Sequence, residues 1–390
     1  MKTQVVIIGG GPSGLLLSQL LMNSGIQTTI IEKQSRDHVL NRIRAGVIEP
    51  HSVKLLNQAG IGDRIVREGQ VHSGTVISSG DRSFRIDFEK TTSQSVTVFG
   101  QTEITRDLYT SQDKANATIL HKIKDVELGD LHDKYPSVHF ELESGTRTSI
   151  KADFIIGCDG FHGVSRNSIP KNTKKIYEKI YPFGWLGILS ETPPVNKELI
   201  YSNSPAGFAL ASMRNKNLSR YYIQCPLGTT TENYSDQMFW EELKKRLPSK
   251  YADNLITGKS VEKSIAPLRS FVCEPIQWGK LFLVGDAAHI VPPTGAKGLN
   301  LAFSDVYYIS EALIHFYNKN NDIFLKNYSQ TALKRIWKTV RFSWWMTNLL
   351  HTYPSSSDFE KKLQLSEIDH LASSEIAQAS LAENYVGLPY

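Results

Sequence analysis

Three stretches of the chain hold residue types at spacings that can do chemistry. The first is Gly9-x-Gly11-x-x-Gly14. Glycine at the first position permits a tight turn, at the second lets backbone approach a pyrophosphate, and at the third lets a helix pack close to a strand. The helix that follows points its electropositive N-terminus at the phosphates. Glu32 ends the next apolar run, where its carboxylate can accept from both hydroxyls of a ribose. These features predict dinucleotide binding and leave NAD and FAD both open. The second stretch is "CDGFHGVSR", with Asp159, Gly160 and Arg166. The third is "VGDAAHIVPPTGAKGLNLA", with Asp286 and Lys297. Its small residues lie just before a helix, whose N-terminus stabilises negative charge. Taken alone, Lys297 reads as a solvated lysine.

The elements that must position these residues follow from apolar periodicity. Gln4 to Ile8 reads as a buried strand. Pro12 and Ser13 open a helix that "LLLSQLLMNSG" carries to Gly25. Thr28 to Ile31 is a second buried strand, so this is a β-α-β unit with parallel neighbours. "ADFIIGCDG" and "LFLVGD" are two further apolar runs. Between Tyr181 and Lys263, "ELIYSN", "GFALAS" and "RYYIQCP" alternate as antiparallel strands do, and "DQMFWEELKKRL" reads as an amphipathic helix. After Gly298 the chain is helical. No internal repeat is evident. The expected class is α/β: a Rossmann-like domain, an inserted, mostly antiparallel β domain and a C-terminal helical region.

Composition narrows the function classes. The 390 residues are 40% hydrophobic and 21% charged, with no low-complexity run, as expected for a folded protein with a sizeable core. A net charge of +5 over this length is weak evidence for nucleic acid and fits an anionic small molecule equally well. Cys158, Cys225 and Cys273 are far apart, which argues against a disulfide framework or a cysteine-rich metal site and suits a reducing cytosol. "MKTQVVIIGG" shows no signal-peptide pattern, and no apolar stretch approaches the ~20 residues that span a bilayer. The expected location is the cytoplasm, without nucleic acid, membrane or metal as partner.

The strand ends "CDGFHGVSR" and "GDAAHIVPP", in this order behind the opening fingerprint, resemble the FAD-dependent aromatic hydroxylases, the single-component flavoprotein monooxygenases. "RIRAGVIEP", "GQTEITRDL", "YPFGWLGIL", "SIAPLRSF", "RFSWWMT" and "AENYVGLPY" extend the resemblance over essentially the whole chain. It implies FAD as cofactor, NADPH as hydride donor, O2 as co-substrate and a homodimer. It also implies an FAD-binding domain over 1–72, 96–180 and 268–345, a substrate domain over 73–95 and 181–267, and a helical interface region over 346–390. On this resemblance Gly9, Gly11, Gly14 and Glu32 hold the adenosine and pyrophosphate end. Arg42, Arg44, Ala45, Gly46 and Val47 line the adenine-ribityl side, with Asp159 and Gly160 nearby. Gln101 and Asp286 touch the ribityl chain. Leu299 and Asn300 present backbone N–H groups to the flavin ring.

The resemblance further implies a phenolic benzoate as substrate, 4-hydroxybenzoate, hydroxylated to 3,4-dihydroxybenzoate by oxygen carried at flavin carbon 4a. Ser212, Arg214 and Tyr222 would take the carboxylate; a guanidinium can do so through two parallel bonds. Tyr201 would bond the phenol, with Tyr385 as its partner and His72 as terminal proton acceptor. Pro293 would bring its carbonyl to the ring, and Arg220 would help set the flavin position. NADPH would dock near Arg42, Arg44, His162 and Arg269. Lys33 and His38 stand where some NADPH-using relatives carry Arg and Tyr, so NADH stays open as donor. Asn41 replaces a common glycine before Arg42. A hydroxylase of 4-aminobenzoate or 3-hydroxybenzoate, a nicotinamide-dependent dehydrogenase and a silent FAD-binding partner protein are the alternatives.

Overall fold

The computed structural model describes residues 2–41 and 46–390. Val5–Ile8, all β-branched and all buried, pairs in parallel with Thr28–Ile31 on one side and Phe154–Gly157 on the other. Covered on both faces, such strands carry apolar residues continuously instead of alternating. The sheet has six strands in the order Gln277–Trp278, Leu281–Leu283, Phe154–Gly157, Val5–Ile8, Thr28–Ile31 and Thr118–Leu120. Only the Gln277–Trp278 edge pairs antiparallel. Helix Pro12–Asn23 packs against helices Gln101–Lys114 and Gly298–Lys319. The ends of Val5–Ile8, Phe154–Gly157 and Leu281–Leu283 therefore deliver the three glycine-bearing turns from neighbouring strands of one sheet.

A second sheet has eight strands: His289–Ile290, Ser260–Glu274, Lys175–Ser190, Leu218–Pro226, Ala209–Asn215, Ile200–Asn203, Gly74–Ser79 and Arg82–Asp87. All pairs are antiparallel except Ile200–Asn203 with Gly74–Ser79. Lys175–Ser190 and Ser260–Glu274 are longer than the short runs read from sequence, and the expected limits at 180/181 and 267/268 fall inside them. A register shift between Ile180 and Gly184 accompanies that passage. The expected limit at 345/346 likewise falls inside helix Ile323–Leu350.

One face of this sheet buries Leu186, Ile188, Tyr221 and Ile223 beneath helix Asp236–Lys244. The opposite face buries Trp185, Tyr201 and Phe208 with Phe342, Met346, Leu350 and Tyr385 from the C-terminal helices. A small antiparallel sheet of Val47–Ile48, Val96–Val98 and Gln70–His72 packs Val47, Val96 and Val98 into the same cluster as Tyr201 and Tyr385. The antiparallel meander Lys124–Gly129, Ser137–Glu141 and Arg147–Lys151 was not anticipated from the sequence. Among the described residues no helix is long and apolar enough to cross a membrane, and no His, Cys, Asp and Glu group is placed to hold a metal.

Candidate active site

The first glycine turn is built by close approach. A Cβ on Gly9, at φ +109°, would lie 2.3 Å from the Cys158 carbonyl oxygen, and one on Gly14 would lie 2.0 Å from that of Gly9. A Cβ on Gly11 would meet nothing within 4 Å, so the space above it is open. Gly11 caps helix Pro12–Asn23 without a side-chain bond. The first-turn N–H groups thus have no intrahelical or capping acceptor and suit an anion. Glu32 accepts from Gly10 N at 2.6 Å through Oε2 and from Gln34 N at 2.7 Å through Oε1. Both oxygens are thereby fixed against the turn, and each keeps a lone pair for a ribose hydroxyl.

The other two turns are tied together. Asp159 accepts from Ser165 N at 2.9 Å, while its buried Oδ1 has no partner. Burial holds this carboxyl above the usual range. Arg166 donates to the Ala287 carbonyl at 3.0 Å and lies over the rings of Phe161 and Phe271. Asp305 accepts from Gly285 N at 2.9 Å and bonds His289 at 2.6 Å, which leaves the Asp286 carboxylate exposed. Gly160 and Gly285 take positive φ, +73° and +62°. An open glycine turn, an orphaned carboxylate oxygen and an exposed Asp286 along one row of strand ends fit a long dinucleotide such as FAD.

At the far end of this row, Asn300 is bonded by side chain to the strand Val47–Ile48. Its Nδ2 donates to the Val47 carbonyl at 2.8 Å, and its Oδ1 accepts from Glu49 N at 2.9 Å. Leu299 and Asn300 occupy the first turn of Gly298–Lys319, where N–H groups lack helical partners. Gly46 is required beside Phe99, whose carbonyl oxygen a Cβ would approach to 1.9 Å, and Gln101 opens the following helix. Arg42, Arg44 and Ala45 lie outside the described residues.

Lys297 is not solvated. It is buried, donating to Glu49 Oε1 at 2.7 Å and to the Tyr385 carbonyl at 2.5 Å. Arg335 shares Glu49 at 3.4 Å and also bonds the carbonyls of Leu388 and Pro389. Burial lowers the Lys297 pKa, and Glu49 offsets this. Two cations on one carboxylate leave net positive charge beneath the helix N-terminus. Glu49 and Arg335 were missed in the sequence because nothing local pairs them; Glu49 just before Pro50 at a helix start was the available signal.

Strand pairing aligns the substrate-side candidates. Cross-strand partners share a face, as do residues two apart. Tyr201 pairs Leu210, Leu210 pairs Tyr222, Tyr222 pairs Gly187, and Gly187 pairs Ser264. The next row holds Ser212, Arg220, Leu189 and Glu262. Arg214 sits where the register shifts between Met213 and Asn215, and its side chain interacts with Tyr222 on this face. One sheet face therefore carries Tyr201, Ser212, Arg214, Arg220 and Tyr222. A Cβ on Gly187 would lie 2.6 Å from the Tyr222 ring, so glycine lets that ring lie against the strand. Arg214 Nη1 is buried without a partner, a costly arrangement for a cation unless an anion joins it. Arg220 is held by Glu262 at 3.1 Å and Ser264 at 2.7 Å and lies over Tyr222.

Tyr201 Oη lies 2.8 Å from Tyr385 Oη, both residues being about 1% exposed. Burial pushes the Tyr201 phenol up to about 12, while bonds to Tyr385 and the Gly295 backbone pull it down. Tyr385 is raised well above its ordinary value. Its ring stacks on Phe88, and Lys297 Nζ sits 5.4 Å from its centroid. His72 is 2% exposed, unlike the surface histidine that its place beside a strand suggests, and bonds neither tyrosine. Pro293 is exposed, its carbonyl accepting from Ala296 N at 2.9 Å. Arg269, paired with Glu178, covers the Phe161 ring, which touches His162 edge-on. Lys33 and His38 belong to another element, around helix Arg36–Leu40. One structural histidine was missed: His351 stacks on Phe183 and accepts from Trp185 Nε1 at 2.6 Å.

Comparisons with known proteins agree with this geometry. Residues 2–343 match the family described as an FAD binding domain. The chain is 53% identical to p-hydroxybenzoate hydroxylase of Acinetobacter baylyi, over 100% of this chain and 96% of that one. It is 24% identical to FAD-dependent monooxygenase ntnA of a Nectria species, over 80% of this chain and 44% of that one. Among solved structures, p-nitrophenol 4-monooxygenase PnpA of Pseudomonas putida superposes with a TM-score of 0.84 over 100% of both chains at 18% identity, a likeness of fold.

Proposed function

This chain belongs to the FAD-binding family that includes the p-hydroxybenzoate hydroxylase of Acinetobacter baylyi, and from that membership we propose that it converts 4-hydroxybenzoate to 3,4-dihydroxybenzoate with FAD, NADPH and O2. The observation that carries the reading is one sheet face with a buried, unpartnered Arg214 nitrogen and a buried phenol pair, Tyr201 and Tyr385. A substrate with a carboxylate at one end and a phenol at the other is complementary to both.

Gly9, Gly11, Gly14 and Glu32 would hold the adenosine and pyrophosphate of FAD, Asp286 and Gln101 its ribityl chain, and the first turn of Gly298–Lys319 its ring. Bound FAD supplies the redox chemistry, accepting hydride and activating O2. The rest falls to the protein. Arg214, with Ser212 and Tyr222, orients the carboxylate. The apolar face around Trp185, Phe208 and Leu210 excludes water. Tyr201 receives the phenolic proton as it gives its own hydroxyl proton to Tyr385, Tyr385 passes its own on in turn, and His72, which bonds neither tyrosine directly, would take it through bridging water and deliver it outward. The resulting phenolate makes the ring electron-rich at the carbon ortho to oxygen. Coupled phenols spare the pocket an isolated anion. Arg220 would help set the flavin position, and Lys33 offers a cation to the 2′-phosphate of NADPH. The six-stranded sheet serves FAD and the eight-stranded sheet the substrate, in a cytoplasmic homodimer.

Product analysis tests this reading. Incubation with 4-hydroxybenzoate and NADPH should give 3,4-dihydroxybenzoate matching the NADPH consumed. Hydrogen peroxide alone refutes the assignment. A faster coupled reaction with 4-aminobenzoate or 3-hydroxybenzoate moves it to a related benzoate.

A further inference from the structure

An open groove of about 1,100 Å³ is lined by Val71, His72, Phe84, Arg85 and Glu198 among others. His72 offers this groove a buried imidazole whose two nitrogens have no partner. No neighbour therefore fixes its tautomer by a hydrogen bond. Burial disfavours its protonated form, and the charge that counters this is Glu198.

Glu198 is held in place. Arg85 grips its carboxylate through Nε at 2.7 Å and Nη2 at 2.8 Å. The same guanidinium donates to Asp87 at 2.7 Å and to the hydroxyl of Ser73, next to His72, at 2.9 Å. Asn196 donates to the Glu198 carbonyl at 2.9 Å. Arg85 thus ties the strand end bearing His72 to the loop bearing Glu198. Lys197, Lys216, Lys250 and Tyr251 complete the charged and titratable lining. Asp87 follows on the Arg85 strand, and Tyr385 stacks on neighbouring Phe88.

We propose that Glu198, clamped by Arg85, is a positioning residue for His72: its carboxylate supplies the negative charge that lets the buried imidazole take a proton from the tyrosine pair and release it into the groove. This rests on the reading of Tyr201, Tyr385 and His72 as the proton path. One proton leaves the substrate phenol and one enters the groove, the imidazole returns to neutral, and no electrons move.

The test uses the full holoenzyme carrying 15N-labelled histidine, with His72→Asn to assign the resonance. One unit charge in this partly solvated setting is worth ~0.5 pH unit. Glu198→Gln should lower the His72 titration midpoint by that much. Arg85→Met, which frees the carboxylate from its cation, should raise it. Proton release on binding 4-hydroxybenzoate, followed with an indicator dye, should slow about threefold in Glu198→Gln and not in Arg85→Met. Loss of local structure alone gives no such pair of opposite shifts. Equal shifts in one direction, or none, overturn the proposal. The titration needs no turnover, so the two readings separate. Variants that titrate alike in an enzyme whose wild type forms product refute only the role of Glu198. Opposite shifts in an enzyme that forms no product refute only the hydroxylation.

Discussion

The two ends of the proposed site are built from different parts of the chain. The FAD end is mostly backbone: two helix N-termini, glycine turns at three adjacent strand ends, and carboxylates that brace them. The substrate end is mostly side chain: Tyr201, Ser212, Arg214 and Tyr222 spread across the face of an antiparallel sheet. A backbone site demands an absence of atoms, as at Gly9 and Gly14, whereas a side-chain site demands particular chemical groups. The first should fail by steric exclusion, the second by loss of affinity or coupling.

The largest expected effect breaks the backbone end. Gly14→Val forces a Cβ to within 2.0 Å of the Gly9 carbonyl oxygen. It should cost more than about 3 kcal/mol of FAD binding, a loss above ~100-fold. Flavin absorbance of the purified protein reads this, and a variant that binds FAD normally contradicts a backbone-built site. Glu49→Gln acts where the two ends meet, leaving Lys297 and Arg335 without their carboxylate. Breaking a buried ion cluster this way costs about 3 kcal/mol. Urea unfolding should show the loss in apo and holo protein alike, since Glu49 serves both ends.

Arg214→Met addresses the side-chain end alone. Losing charge-assisted bonds to a carboxylate should weaken 4-hydroxybenzoate by about 2.5 kcal/mol, or ~70-fold. FAD content should stay at the wild-type level. Equilibrium titration monitored by flavin absorbance distinguishes this from a general defect.

The smallest effect concerns the platform behind the substrate face. Burial lowers the His351 pKa to about 3 from an ordinary 6.5. The unfolded chain therefore binds the proton first as pH falls. His351 costs the fold nothing above 6.5 and up to about 1.4 kcal/mol per pH unit between there and 3. From pH 7 to pH 5 the wild type should lose about 2 kcal/mol more than His351→Gln, as read by denaturant unfolding.

The same contrast decides what was legible in the sequence. The fingerprint, Glu32 and the β-α-β unit are contiguous, so periodicity and spacing suffice to find them. Taken alone, Lys297 reads as solvated because its carboxylate partner, Glu49, is 248 positions away. The tyrosine pair spans 184 positions in a chain with 16 tyrosines. Only the family resemblance singled it out, because nothing local marks a residue that meets its partner across a fold. Lys175–Ser190 and Ser260–Glu274 run longer than the short runs read from sequence because each turns from exposed to buried partway, and local composition follows burial. His72 reads as a surface residue from its surroundings in sequence, but its ring is buried although the residue lines a groove.

The central claim is that the substrate end ionises a phenol through the tyrosine pair. Tyr201→Phe tests it most directly, with 3,4-dihydroxybenzoate formed per NADPH consumed as the measured ratio. The variant should bind 4-hydroxybenzoate and consume NADPH while releasing hydrogen peroxide in place of most of the product. A product ratio equal to that of the wild type would contradict the account.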